Sequence, residues 1–287
     1  MILDFFSTNP NLYYSFIFIL GLVVGSFLNV VIYRLPRIMF MQWKDECCDF
    51  LELNTNSSTP FNLSFPASTC PICGHKIRAW ENIPVVSYLF LKGKCSQCKT
   101  PISIRYPFIE LISGLISLSI AIQFGTSITT LTLLIFSWML IALFFIDFDK
   151  QLLPDDITLP LLWLGILVNS FAIFTDLHSS VFGAILGYLS LWSVYHLFRL
   201  ITGKEGMGHG DFKLLAALGA WCGFQSLPLI IILSSLAGCL YGLFLFLFKR
   251  NSFGEPFPFG PFLVVAGWLS LIYGNNLNQV YLSLFSL

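Results

Sequence analysis

Apolar residues run almost unbroken over 12–33, and again near 107–124, 128–146, 157–174, 179–198, 213–225, 227–248 and 259–274. A helix needs about 20 mostly apolar residues to cross a bilayer. The pattern therefore predicts eight membrane-spanning helices and an all-α polytopic membrane protein. The 213–225 run is short and needs packing partners or local thinning of the bilayer. The 12–33 run is too long and too punctuated by glycine to be a signal-peptide core. No basic region precedes it and no small-residue cleavage site follows it, so it reads as a retained span.

One long stretch breaks the apolar pattern. Residues 35–105 hold 13 of the 30 charges and six of the eight cysteines. The expected division is a first transmembrane helix over 1–34, an insert over 35–105, and a seven-helix membrane core over 106–287. Within the insert, Asn54–Pro60 (NTNSSTP) is polar and turn-rich and reads as a mobile loop. The 50–69 linker carries no nameable chemistry, and the chain has no internal repeat visible in sequence.

Basic residues set orientation, since they concentrate on the cytoplasmic side. With an external N-terminus and eight spans, all 15 Lys and Arg residues fall on one side. A wrong span count would scatter them. The expected topology has both termini periplasmic and the insert cytoplasmic.

Composition narrows the class further. The chain is 56% hydrophobic and only 10% charged, against about 25% charged in a soluble domain. Mean hydropathy is +0.80. An ordinary cytosolic enzyme, a disordered chain and a disulfide-stapled secreted module are excluded. The formal net charge is zero, so no global basic signal points to nucleic acid.

Two CxxC pairs, Cys70-Pro-Ile-Cys73 and Cys95-Ser-Gln-Cys98, lie 21 residues apart. This spacing fits a tetrahedral zinc site with four cysteine ligands; an iron–sulfur cluster is the alternative. A cytoplasmic insert sits in reducing conditions, which disfavours disulfides. An insert this small has little core and gains from a metal staple. Four thiolates leave no open position for a reacting water, so the site reads as structural. His75 reads as a neighbour rather than a ligand, Cys47 and Cys48 as bystanders, and Cys222 and Cys239 as small hydrophobes.

Carboxylates beside a bilayer are costly and tend to be functional. Asp147 and Asp149 end the third span, and Asp211 follows Gly208-His209-Gly210 after the fifth. Both segments fall at the same membrane edge, so Asp147 and Asp211 are able to meet. An aspartic peptidase needs such a pair, one carboxylate ionised to activate water and one protonated to polarise the scissile carbonyl. Gly208 and Gly210 permit close backbone approach. Competing readings stand beside this one. Asp155 and Asp156 read as N-cap residues of the fourth span. Asp149 with Lys150 reads equally as a solvated loop pair. Asp211 is open to pairing with Lys213 or capping a helix. Glu110 faces either a cofactor pocket or a helix contact. Gly21 and Gly25 read as a helix-packing pair.

These residues resemble a known family. Gly208-His209-Gly210-Asp211 resembles the GxGD element of polytopic aspartic peptidases. The remainder is similar to bacterial prepilin peptidases, the type IV leader peptidases and methyltransferases. The stretches that carry the likeness are 25–36, Cys70–Cys73, 81–88, Gly93–Cys98, 105–107, Asp147–Asp155, Gly206–Lys213 and 258–261. The match spans about 21–274.

The resemblance implies an eight-helix membrane peptidase of the inner membrane. Asp147 and Asp211 match its catalytic aspartates, in active-site segments that hold Asp149, Gly208, Gly210 and Lys213. Substrates would be type IV prepilins and type II secretion pseudopilins, cut after a glycine at the cytoplasmic face. The enzyme would then methylate the new N-terminus with S-adenosylmethionine, and the zinc insert of Cys70, Cys73, Cys95 and Cys98 marks members that do both. Gly93, Lys94 and Glu110 are methyl-transfer candidates. Asp45, Glu46, Asp49, Glu52 and Glu81 offer an acidic surface for a basic leader, or only a solvated face. A peptidase without methyl transfer remains an alternative. A transporter or assembly scaffold is disfavoured, because the carboxylates sit at the edge and no repeat is visible. No HExxH occurs, which disfavours a metallopeptidase.

Overall fold

The computed structural model describes residues 6, 8–53, 61–249 and 258–285, with the side chains of 249 and 275–285 left aside. The polar stretch 54–60 and Arg250, which enters the orientation argument, lie outside the described residues. Nine α-helices of five residues or more occur among the described residues: α1 (Pro10–Phe50), α2 (Val86–Phe90), α3 (Arg105–Phe124), α4 (Ile128–Lys150), α5 (Asp155–Asn169), α6 (Leu177–Thr202), α7 (His209–Cys222), α8 (Leu227–Lys249) and α9 (Gly260–Phe285). The short α2 belongs to the insert, and the other eight correspond to the eight apolar runs. Among the described residues, five helices are long and apolar enough to cross a membrane, counting the turn Phe224–Ser226 with α8. The chain is a multi-pass membrane protein.

Several helix ends differ from the apolar runs. α1 does not stop near Tyr33 but passes through Pro36 to Phe50. Proline in a helix interior removes a hydrogen bond and costs about 3 kcal/mol. Beyond it, Met39, Met41, Gln42, Lys44 and Glu46 are strong helix formers with no Gly or Pro among them. The helix has 41 residues, about 62 Å, roughly twice the thickness of a bilayer core. α5 starts earlier than its apolar run, and its N-cap is Pro154. Asp155 and Asp156 are therefore first-turn residues, placed where the helix dipole favours negative charge, and not the cap. The cap forms instead at α6, where Asp176 accepts from the Ser179 amide at 2.9 Å.

The chain divides into two compact units, Met1–Ala142 and Leu143–Leu287. In the first, α1 packs on α3 through glycine. A Cβ on Gly21 would lie 2.6 Å from Ser117 Oγ, and one on Gly25 would lie 2.7 Å from the Glu110 Cα. Small residues at this spacing let membrane helices touch backbone to backbone. Arg34, buried at the end of the apolar part of α1, donates to the carbonyls of Asn62, Leu63 and Pro66. It ties the start of the insert to the helix.

In the second unit α7 is central, packed by α5, α6 and α9. Phe212 and Leu214–Trp221 are all buried. Fourteen residues span only about 21 Å, and protein packing on its flanks compensates for the short length. Gly183 and Gly187 of α6 lie against the α7 backbone at Gly219 and Leu215. Asn169 of α5 donates to the Ala220 carbonyl at 2.8 Å and Trp221 donates to the Leu161 carbonyl at 2.8 Å. These buried bonds fix the height of α7, and with it the position of Asp211.

Candidate active site and metal centre

Asp147 lies in the last turn of α4 and Asp211 in the first turn of α7. Both are buried, at 5% and 8% exposure. Gly208 is the N-cap of α7, so Asp211 falls at the third helical position. From there its carboxyl faces the amide end of α7, where the helix dipole favours negative charge. The pairing of Asp211 with Lys213 does not form. Lys213 binds Asp155 at 2.7 Å.

The two buried carboxyls are close enough to interact electrostatically. The Gly260 amide points at Asp147, and Asp147 Oδ2 is buried with no hydrogen-bond partner. A Cβ on Gly260 would stand 2.5 Å from that oxygen. Leu153 closes the other side. A Cβ on Gly210 would meet its Cβ at 2.8 Å, and one on Gly260 would meet its Cδ1 at 3.4 Å. Gly210 and Gly260 thus sit against one leucine, with Asp147 beside Gly260. Asp149 is exposed at the end of α4. The Tyr195 ring lies 5.3 Å from His209, and its buried hydroxyl has no partner.

Sequence reasoning missed Gly260, Leu153 and Tyr195. The Pro-Phe-Gly-Pro stretch at 258–261 carried a signal for Gly260, as a glycine at a helix start with no turn to explain it. Leu153 and Tyr195 had none, because their role depends on which helices meet.

The insert holds a second cluster. The Sγ atoms of Cys70, Cys73, Cys95 and Cys98 all lie within 4.8 Å of one another. Cys70 and Cys98 are 3.7 Å apart, close to the sulfur separation of a tetrahedral site with Zn–S bonds of about 2.3 Å. The cluster fits a metal ion. Each CxxC forms the same turn. The Cys70 amide donates to the His75 carbonyl and the Cys95 amide to the Thr100 carbonyl. The Gly74 and Lys99 amides return to the carbonyls of Cys70 and Cys95, both with positive φ. The chain therefore repeats one knuckle twice, a repeat that sequence identity at two cysteines alone did not reveal. The Thr100 hydroxyl and amide hold the Cys98 thiol down to about 6, which favours the thiolate that metal binding requires.

His75 lies outside the four-cysteine group. Its Nε2 lies 3.1 Å from Glu81 Oε2. The Arg78 amide, the Ser96 hydroxyl and His75 hold the Glu81 carboxyl down to about 2, so it is ionised at working pH. Cys47 and Cys48 lie near the end of α1, away from the knuckles in sequence; Cys222 packs toward the Gly267 carbonyl, and Cys239 is exposed.

The methyl-transfer candidates do not form an open cradle. Gly93, with φ +66, has the Tyr88 hydroxyl where a Cβ would go, 2.8 Å away. The Lys94 backbone bridges Pro101 in the second knuckle. Glu110 accepts from the Val85 amide at 2.7 Å. Gly93 and Glu110 are committed to holding the insert, and this set does not fit S-adenosylmethionine as a direct binding site.

Two family models match the chain in turn. Residues 19–124 match the family model described as Bacterial Peptidase A24 N-terminal domain, and residues 134–243 match the Type IV leader peptidase family. The chain is 51% identical over 280 residues to a protein named prepilin leader peptidase/N-methyltransferase from Stutzerimonas stutzeri, covering 97% of each. It is 50% identical to the protein of that name from Pseudomonas aeruginosa, over 98% of this chain and 97% of the relative. For the one from Neisseria gonorrhoeae the figures are 51%, 88% and 87%. No solved structure matches.

Proposed function

We propose a two-step activity for this chain, which belongs to the type IV leader peptidase family: it removes the leader of type IV prepilins and pseudopilins, then methylates the exposed N-terminus. The peptidase step is assigned to Asp147 and Asp211. One observation carries the assignment. Two buried carboxyls from different helices interact, and one has an oxygen with no partner.

Two such groups cannot both ionise cheaply and share a proton. The ionised carboxylate takes a proton from water as the water attacks the scissile carbonyl. The protonated one donates to the developing oxyanion, and the proton then passes to the leaving amine. The partnerless Asp147 Oδ2 is the acceptor for that water. Gly208 and Gly260 keep side chains away from Asp211 and Asp147, Gly210 lets α7 close on Leu153, and Lys213 with Asp155 holds α7 to the start of α5. Asp149 is exposed and serves the rim of the segment.

The insert is proposed to hold zinc through Cys70, Cys73, Cys95 and Cys98. The ion supplies structure, closing the two knuckles on each other. Gly93, Lys94 and Glu110 are assigned to methyl transfer through the shape of the insert. S-adenosylmethionine is the implied donor, and no step is routed through it.

We place the chain in a bacterial inner membrane with the insert and aspartates cytoplasmic and both termini periplasmic, on the one-sided distribution of Lys and Arg. A prepilin helix in the same bilayer meets the enzyme in two dimensions, which raises its effective concentration. The test is purified enzyme in lipid with a prepilin and S-adenosylmethionine. The product should lose the leader mass and gain one methyl. An unchanged prepilin across a panel of pilins and pseudopilins would defeat the reading.

A further inference from the structure

The insert presents large apolar side chains to its surroundings. Trp80 is 52% exposed, Leu89 68% and Phe90 84%, and Ile83 and Val86 are also exposed. Trp80 and Ile83 are three apart across a 3-10 turn, Ala79–Asn82, and so lie on one edge. Val86, Leu89 and Phe90 share one face of α2.

The depth of this segment is set by one hydrogen bond. Val85 donates to Glu110 Oε2 at 2.7 Å. Glu110 stands five residues inside α3, which starts at Arg105, about 8 Å along the helix axis. It is level with Gly25, against which its Cα packs, and Gly25 lies nine residues before Arg34, about 13 Å along α1. The Glu110 side chain leans back toward the start of α3, so Val85 is held close to the plane that Arg34 and Arg105 mark. A loop at that depth needs its backbone satisfied by protein, and the Glu110 carboxylate does this. Val85 takes φ +59 to make the bond, a conformation that a β-branched residue adopts only when its surroundings enforce it.

Charge points the same way. Residues 61–105 carry six basic side chains and one acidic, Glu81. Glu81 is engaged by His75 and the Arg78 amide. Even with four thiolates and a divalent ion counted, the segment stays net positive. A basic prepilin leader or a second copy of this segment would be repelled. An anionic lipid surface would be attracted, by about 1 kcal/mol per basic residue near it.

We propose that residues 79–91 anchor the insert in the anionic cytoplasmic leaflet. Trp80, Leu89 and Phe90 enter among the upper acyl chains, and Arg78, Lys92 and Lys94 meet lipid phosphates. Trp and apolar neighbours beside Lys suit this boundary. The anchor rests on the membrane reading and its cytoplasmic side, not on the peptidase chemistry, so the two fail separately.

The test uses the full chain in nanodiscs of phosphatidylcholine and phosphatidylglycerol, with part of the lipid brominated high on one acyl chain. Subtracting the emission of Trp80→Phe from that of the unmodified chain isolates Trp80. The expected result is blue-shifted emission that is lost on bromination. The loss should be smaller in discs without phosphatidylglycerol, and smaller for Lys92→Gln with Lys94→Gln in anionic discs. A Phe90→Trp substitution on the Trp80→Phe background should restore a quenchable signal. Red emission indifferent to bromination would mean a solvated segment. Blue emission indifferent to bromination would mean a protein cover. Either overturns the proposal.

Discussion

Gly260 stands directly over Asp147, so close that a single added methyl would lie 2.5 Å from Oδ2. The same residue's amide points at that carboxyl. Backbone, not a side chain, therefore forms one wall of the aspartate site. A Gly260→Ala substitution has to displace either α9 or the carboxyl. Misplacement on the ångström scale costs about 10²-fold in rate. Cleavage by Gly260→Ala should fall by about that factor, with methylation of a pre-cleaved pilin preserved. Assaying both steps on one preparation separates a displaced carboxyl from a misfolded protein.

Lys213 and Asp155 meet at 2.7 Å, but both are partly exposed. An exposed pair contributes about 0–1 kcal/mol. Asp155→Asn or Lys213→Gln should therefore reduce cleavage by less than about tenfold. The double variant Asp155→Lys with Lys213→Asp should recover most of it. Loss beyond about 10²-fold in Lys213→Gln, unrepaired by the swap, would assign Lys213 a direct catalytic role.

Zinc removal should separate the two activities. Chelation, or Cys70→Ser with Cys98→Ser, should open both knuckles, since on the proposed reading the ion joins the four cysteines. Methylation should be lost while leader cleavage remains near the unmodified rate. Circular dichroism should show little change in helix content, since the membrane helices hold most of it. Loss of both activities in a folded protein would show that the aspartate site depends on the insert.

The far end of α1 exposes Asp45, Glu46 and Asp49. Glu81, by contrast, is taken by His75 and Arg78. The acidic surface available to a basic leader is therefore the α1 extension. Charge reversal at Asp45, Glu46 and Asp49 together should raise KM for prepilin severalfold with kcat little changed. The effect should shrink as salt is added, because exposed charges are screened within about 10 Å at 0.1 M. An unchanged KM at low salt would return these residues to a solvated face.

Much of the architecture was legible in the chain. Apolar runs mark eight helices, five of them long and apolar enough to cross a membrane among the described residues, and the cysteine spacing marks the cluster because tetrahedral thiolate sites need it. Gly21 and Gly25 read correctly as packing residues, since small side chains four apart in an apolar helix let two backbones meet. Other features were hidden. The apolar run ends near 33, yet α1 passes through Pro36 to Phe50, because the helix formers after it outweigh one lost bond. Asp155 and Asp156 resembled caps, but Pro154 is already fixed in the backbone geometry a cap requires. The partner of Lys213, the approach of Gly260 and the grip of Glu110 on Val85 join residues 25 to 113 positions apart. Local pattern carries no information on such pairs.

The central claim is that Asp147 and Asp211 act as one catalytic pair. It is tested most directly by mass spectrometry of prepilin incubated in lipid with the unmodified enzyme, Asp147→Asn and Asp211→Asn, alongside a pre-cleaved pilin with S-adenosylmethionine. The account predicts that each substitution alone abolishes leader removal while the pre-cleaved pilin still gains its methyl group. Leader removal at an undiminished rate in either variant would contradict it.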